Sequence, residues 1–424
     1  MALAGCTGML GSDGTTTLRV INSAYGPVQN ELEEMFTEFE DEHGVEIEYE
    51  RSDFAEAPQQ ASQAHAAGDP FDVMTLASPA NNIGAVQEGL VQPINELIDD
   101  RGADYWNEDA LFQIDGEYYF APDHGSALNL ITRNDILDEV GAPQPPFDTW
   151  DEYITAAELA TDEDENRYGH PVFLGNNHFH PVWVMSLVLG NGGNLVNTDG
   201  DIVFDSEEVV ETLEFIDELD EYSDESAHNS DIPGMRPPVY QGQYAMSWYS
   251  TNLVPYDIEE YNPDLEVTED VALSPIPTRT EDRDPIVRMT GVGYGVSSET
   301  DNPDLALDLV RELTSHEGVV RQLLAHPGTI VPMVDGILDE DELWEDEFFD
   351  DENNEEHYRN LVNMTQDYGR FIAVEENEGH LDPTTGQAIT ESHVVSAAQD
   401  VVLDDVDPQQ AAEDAAEEMR EEYL

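Results

Sequence analysis

The chain has 424 residues, 39% of them hydrophobic, with 95 acidic side chains against 14 basic ones and a formal charge of −81. Every basic residue is arginine. A field of this sign repels phosphates, which excludes nucleic acid and anionic bilayer surfaces as partners; no apolar run reaches the ~18–20 residues that span a bilayer, and the length asks for two lobes of roughly 200 residues each.

The acid is spread along the whole chain and interleaved with Trp, Tyr, Leu and Val, which argues against a disordered acidic tail. Carboxylates in such excess repel one another in dilute buffer. At molar salt, where the Debye length is ~3 Å, that repulsion is screened. The composition is therefore read as an adaptation to a salt-rich medium.

The single cysteine, Cys6, excludes an internal disulfide. It closes Leu3-Ala4-Gly5-Cys6, a lipobox-like tetrapeptide, and a Gly/Ser/Thr-rich stretch from Thr7 to Thr17 follows as a tether. These features predict an exported lipoprotein attached through Cys6, its signal peptide trimmed or mis-started here. One acyl chain anchors only marginally, so the expected modification is of the diacylglycerol type.

In chain order, Leu18-Arg19-Val20-Ile21 reads as a strand, and 28–42 as an amphipathic helix with Leu32, Met35, Phe36 and Phe39 on one face. Gly44 ends that helix and 45–49 alternates as a second strand, giving a βαβ unit and the seed of a parallel sheet. A buried-type strand follows at 71–76, then a helical stretch over 82–100 broken at Pro93. Residues 116–122 read as a hairpin and strand leading to a crossover, 129–132 as a further strand, and the next short helix stops at Gly141. Thr149-Trp150-Asp151-Glu152 is a capping box opening a helix. An Asp199-Gly200 turn precedes a second box at Asp205-Ser206-Glu207-Glu208, whose helix carries Val209, Leu213, Ile216 and Leu219 on one face. Strands are expected at 243–248 and 291–296, a helix at 303–313, and helical, very acidic sequence from Asp335 onward. Alternating strands and helices give an α/β class.

Four collinear stretches carry a resemblance. Ala67-Gly68-Asp69-Pro70-Phe71-Asp72-Val73 forms a glycine-proline step into a strand. Asp115 to Pro122, with Leu130 to Leu137 after it, gives a second stretch. Pro146-Phe147-Asp148-Thr149-Trp150-Asp151-Glu152 is the third, and Gly291 to Ser297 with Asn302 to Ser315 the fourth. Together they resemble the family-1 extracellular solute-binding proteins, the group that contains maltose-binding and related sugar-binding proteins. The resemblance implies a two-lobe clamshell, each lobe a sheet flanked by helices, joined by two or three hinge crossings. By similarity, 1–17 is the lipobox and tether. Lobe one takes 18–121 plus 292–328, lobe two 126–272 plus 333–424, and hinges lie near 122–125, 273–291 and 329–332.

Such a clamshell closes on a ligand and excludes water from it. The implied role is the extracellular binding component of an ABC importer, lipid-anchored at the outer face of the cell membrane and monomeric, handing a sugar-like molecule to permease subunits driven by a cytoplasmic ATPase. No cofactor is expected. A sugar needs polar groups for its hydroxyl rim and an aromatic plate for its C–H face. Trp248 resembles the position where the family places a cleft aromatic, and Trp183, beside Asn177, falls where a second plate often sits; packing in a core is the alternative role for both. Asp123 and His124 fall where the resemblance joins hinge and cleft. Tyr25 and Ser78 follow strands, at the carboxyl end of a parallel sheet where ligands bind, and Gly291 permits a close approach of ligand or strand. His178 and His180 lack a third ligand, so no metal is expected. The rival readings are a secreted glycoside-acting enzyme, which would need two carboxylates at a defined separation, and a binder of a non-sugar solute such as a glycerol phosphate.

Overall fold

The computed structural model describes residues 15–23, 26–53, 56–76, 79–107, 110–111, 113–114, 116–175, 180–197, 199–230, 232–250, 253–371 and 393–423, with the side chains of 79–80, 232–233, 249–250, 292 and 371 left aside. Cys6, Tyr25, Ser78 and Asn177 lie outside the described residues.

The predicted βαβ start is present. Strand β1 (Thr17–Asn22) pairs in parallel with β2 (Glu46–Arg51), and the helix Gly26–His43 between them buries Leu32, Met35, Phe36 and Phe39. Gly44 closes that helix at φ +67°, a left-handed conformation that costs glycine little. Strand β3 (Val73–Met74) pairs in parallel with β1 on the other side. The stretch with the expected break at Pro93 divides into helices Pro79–Gln87 and Asn95–Arg101, with the short strand β4 (Val91–Gln92) between them.

The expected hairpin is present as the antiparallel pairing of Ile114 with Glu117, but the strand ending at Pro122 and the separate strand at 129–132 are one continuous strand, β5 (Phe120–Arg133). All of its residues but Ser126 are buried. A strand covered on both faces shows no alternation to read. Four further strands follow: β6 (Met246–Ser250), β7 (Val271–Ser274), the long β8 (Val287–Ser297) and β9 (Val331–Pro332). A last strand, β10 (Gly369–Phe371), lies in the acidic region expected to be helical throughout. Among the described residues one hydrogen-bonded network of ten strands results, in the order β2-β1-β3-β8-β5-β6, with β4 and β10 also on β8 and β7 and β9 also on β5.

The first cap forms where expected, and the second shifts by one residue, from Asp205 to Ser206. The Thr149 side chain accepts from the Glu152 amide at the start of Trp150–Ala160, and Ser206 from the Val209 amide at the start of Glu207–Asp220. Each such cap contributes about 1 kcal/mol.

The buried apolar residues gather around two centres. One holds Leu18, Leu32, Phe39, Tyr294, Leu309 and Leu323, with a smaller satellite around Ile21 and Leu76. The other holds Trp150, Trp183, Phe204, Leu213, Tyr244 and Trp248. The tail is shared between them. Met333, Ile337, Phe349, Tyr358 and Leu361 pack into the first centre, whereas Val394, Ala398, Ala412 and Met419 pack into the second. The expected assignment of 333–424 to lobe two as one block is thus corrected: the segment through Val362 packs with lobe one, because the helix Glu352–Tyr368 turns Tyr358, Leu361 and Val362 toward it.

Candidate functional site

The two centres meet where β5, β8 and β9 lie side by side. The amino-terminal end of β5 pairs with the carboxyl end of β8, from Phe120 opposite Gly295 to Pro122 opposite Gly293. The register then shifts, and pairing resumes with Gly125 opposite Gly291 and Leu128 opposite Arg288. At the same level β9 joins β5, with His124 opposite Pro332 and Gly125 opposite Val331. The far end of β5 belongs to the second centre, where Leu130 faces both Trp248 and Ser274. Segments expected as separate crossings therefore come together at one level of the sheet.

Glycine is required there. A Cβ on Gly125 would overlap the Thr290 carbonyl oxygen and the end of Met333, and one on Gly293 would sit 2.9 Å from the Ala121 carbonyl oxygen. Gly291, predicted to permit a close approach, is the cross-strand partner of Gly125.

Asp123 and His124 sit at the register shift, but inside the protein. Asp123 is fully buried and His124 is 3% exposed. The His124 Nδ1 lies 2.8 Å from Asp123 Oδ2, yet the alignment is not that of a hydrogen bond. The Asp123 main-chain oxygen accepts from the Met333 amide, so this residue also ties the third crossing to the first. Its carboxylate faces Tyr294, whose hydroxyl donates to Gln322 Oε1 at 3.0 Å. Burial first and Asp123 second hold the Tyr294 hydroxyl well above its ordinary pKa.

Trp183 and Trp248 do come together, edge to face, with centroids 6.1 Å apart and planes at 87°. With Tyr153, His170, Phe215 and Ile276 they line a small apolar void with room for about one water molecule. At 3% and 5% exposure, neither ring is displayed as an open plate in this conformation. Trp183 lies on the helix His180–Gly190, nearly every residue of which is buried, and Trp248 on β6 under that helix. His180 makes close polar contacts from both ring nitrogens, 2.6 Å to the Gly175 carbonyl and 2.9 Å to that of Ser230. Those contacts hold the start of the helix.

Beside the predicted Gly291, three part-exposed residues at the crossing carry no signal in the sequence: Ser126, Arg288 and Thr290. Ser126 opposes Thr290 and Leu128 opposes Arg288, so these side chains share one face of the sheet, while the intervening Ala127 and Met289 point into the first core. In sequence, Ile286-Val287-Arg288-Met289-Thr290 is ordinary strand alternation, and nothing in it singles out Arg288. Among the described residues, one trio with metal-type ligands in mutual reach, Glu42, His43 and Glu312, lies on the surface away from this strip.

Residues 25–320 match the family described as bacterial extracellular solute-binding protein. An arabinooligosaccharide-binding protein from Halalkalibacterium halodurans is 25% identical over 249 residues, 58% of this chain and 52% of that protein. The chain thus aligns with about half the length of that curated relative. Among solved structures, an ABC transporter solute-binding protein from Thermotoga lettingae, bound with α-D-tagatose, matches with a TM-score of 0.72 at 20% identity, covering 96% of this chain and 99% of the other. The GacH receptor of Streptomyces glaucescens, solved unliganded and with acarbose, matches with a TM-score of 0.73 at 18% identity, covering 96% and 98%. Both likenesses concern the fold, a two-lobe binding-protein architecture.

Proposed function

The chain belongs to the bacterial extracellular solute-binding proteins, and from that premise we propose that it captures a sugar or oligosaccharide outside the cell and delivers it to the permease subunits of an ABC importer, without chemical turnover. One observation carries the reading. Two packed centres, spanned by a match to a solute-binding family over 25–320, are joined by strands that converge at Gly125, Gly291 and Val331. Bodies joined at one level can rotate about it with small changes in a few dihedrals. Residues 122–125, 290–291 and 331–332 are assigned as the hinge.

The ligand is placed against the part-exposed strip of Ser126, Thr290 and Gly291, and Tyr25, Ser78 and Asn177 are kept as its further contacts. Asp123 and His124 act from beneath the strip, holding the hinge. Trp183 and Trp248 form the wall behind it and meet the ligand only if the void between them opens. The sugar class rests on the arabinooligosaccharide-binding relative and on the tagatose-bound and acarbose-bound structural matches. Cys6 is assigned as a lipid-bearing residue that holds the protein at the outer membrane face, and the acidic surface as suited to a salt-rich medium.

The test is thermal shift across mono- and oligosaccharides at molar salt, paired with a product assay. A saccharide that raises the melting temperature and is recovered intact supports the assignment. Hydrolysis products would replace it with a glycoside-acting enzyme, and a panel without any shift would remove the sugar reading.

A further inference from the structure

Arg288 stands apart from the other arginines. Thirteen of the chain's fourteen are held by a carboxylate or a carbonyl oxygen: Arg133 by Asp135, Arg321 by Glu31 and Glu38, Arg420 by Asp205, and the rest in like manner. Among the described residues Arg288 has neither ion pair nor hydrogen bond, and its Nε is buried without a partner. Burial holds its pKa down, at about 10, and no carboxylate offsets that effect. In a chain with 95 acidic residues, an unpaired half-buried guanidinium is a group left open. Desolvating a charge without a partner costs stability, and such groups are retained where something else pairs with them.

Its position shows what that is. Arg288 shares the part-exposed face with Ser126 and Thr290 and lies two residues along β8 from Thr290, about 7 Å away at strand spacing. Beyond Leu128 the same face continues through Leu130 and its partner Trp248, an apolar surface. Arg370 on β10 is its parallel cross-strand neighbour. A cation, two hydroxyls and an apolar flank in sequence suit a sugar ring bearing one acidic group.

Building on the sugar-binding reading, we propose that Arg288 receives a carboxylate of the ligand, so that the preferred substrate is a saccharide containing a uronic acid. The planar guanidinium fork matches the two carboxylate oxygens. A phosphate ester fits the fork as well, but would bring a second negative charge into a protein carrying −81, and the neighbouring Arg370 is already engaged by the Gly369 carbonyl. The carboxylate is the better match.

The experiment uses the full chain at molar salt and calorimetry with three probes: a uronic-acid trisaccharide, its methyl ester and a hexose phosphate. The acid should bind the native protein about 10–100-fold more tightly than the ester, the range expected for a charge-assisted pair. Arg288→Gln should erase that preference while the ligand-free melting temperature stays level or rises, since an unpaired charge has been removed. Arg288→Lys keeps the charge without the fork, should retain part of the preference, and serves if the glutamine variant does not fold. Equal affinity for acid and ester, survival of the preference in Arg288→Gln, or preference for the phosphate each overturns the assignment, and with ester still bound the sugar reading stands. If no probe and no neutral saccharide binds, both fail.

Discussion

Gly125 offers the sharpest test of the hinge. A methyl group there would run into the Thr290 carbonyl oxygen on β8 and the terminal carbon of Met333 beyond β9, a fully buried side chain. The methionine end can swing aside, but the carbonyl is backbone and can yield only if β5 and β8 separate. Forcing a methyl group into a packed site costs about 1–3 kcal/mol, and the upper half of that range applies where backbone must move. At 2–4 °C per kcal/mol for a unit of about 200 residues, Gly125→Ala should lower the melting temperature by roughly 4–12 °C. Gly84→Ala is the matched control. Gly84 lies in the helix Pro79–Gln87, with no atom within 4 Å of an added Cβ, so the change should be neutral or stabilise by up to about 1 kcal/mol. The assay is differential scanning calorimetry at molar salt, with affinity measured for whichever saccharide shifts the native protein. The hinge variant should lose affinity as well as stability, because the strands that must turn are wedged apart. A Gly125→Ala protein with native melting temperature and native affinity would refute the close-packed crossing.

The aromatic pair, the buried histidines and the charge make further predictions. Trp248→Ala removes a 95%-buried ring from a core and should cost about 3–5 kcal/mol, read as a lowered urea midpoint without ligand; Trp248→Phe should recover most of it. His170 and His357 are buried, and burial holds their pKa values down at about 3 and about 4. The unfolded chain takes up protons near the ordinary value of about 6.5, so their stabilisation is complete above that pH and is lost as pH falls toward the folded values. Each should contribute a slope of about 1.4 kcal/mol per pH unit over that window, and His357→Gln should flatten the dependence of the urea midpoint between pH 6 and 5. For His228 the sign reverses. Its Nε2 lies 2.7 Å from Asp220 Oδ1, and that bond raises its pKa, so its stabilisation is complete below about pH 6.5 and fades as pH rises through the folded value; Asp220→Asn should remove this alkaline loss. Lowering salt from molar to ~0.1 M, where the Debye length grows to ~10 Å, should lower the melting temperature, and a melting temperature indifferent to salt would remove the halophilic reading.

Sequence legibility tracked what each signal physically encodes. The helices Gly26–His43, Trp150–Ala160 and Pro303–Leu313 could be read because each bears a one-sided apolar stripe and a stop or start residue, Gly44, Thr149 or Pro303, that acts within one turn. Strand β5 was read as two pieces because burial on both faces erases period-two alternation and the register shift after Pro122 falls within it. The division of the tail was illegible for another reason. Val362 and Val394 lie on similar amphipathic helices, and the choice between two cores depends on where the intervening chain leads.

The site follows the same logic one level up. Asp123 and His124 are placed at the crossing by the family resemblance around Pro122, and Gly291 by the glycines that open the next strand. Trp183 and Trp248 are each expected as cleft plates from the resemblance, but their exposure belongs to the packed state and no residue type encodes it; a Trp serves a core or a wet face equally well. Arg288 carries no local trace at all. What distinguishes it is that no acid among the described residues pairs with it, and in a chain where acids are everywhere in sequence, that feature exists only once β8 has been laid between β5 and β10. The same excess of acid makes the observation count: in a chain poor in carboxylates an unpaired arginine would be unremarked, whereas here thirteen others found partners.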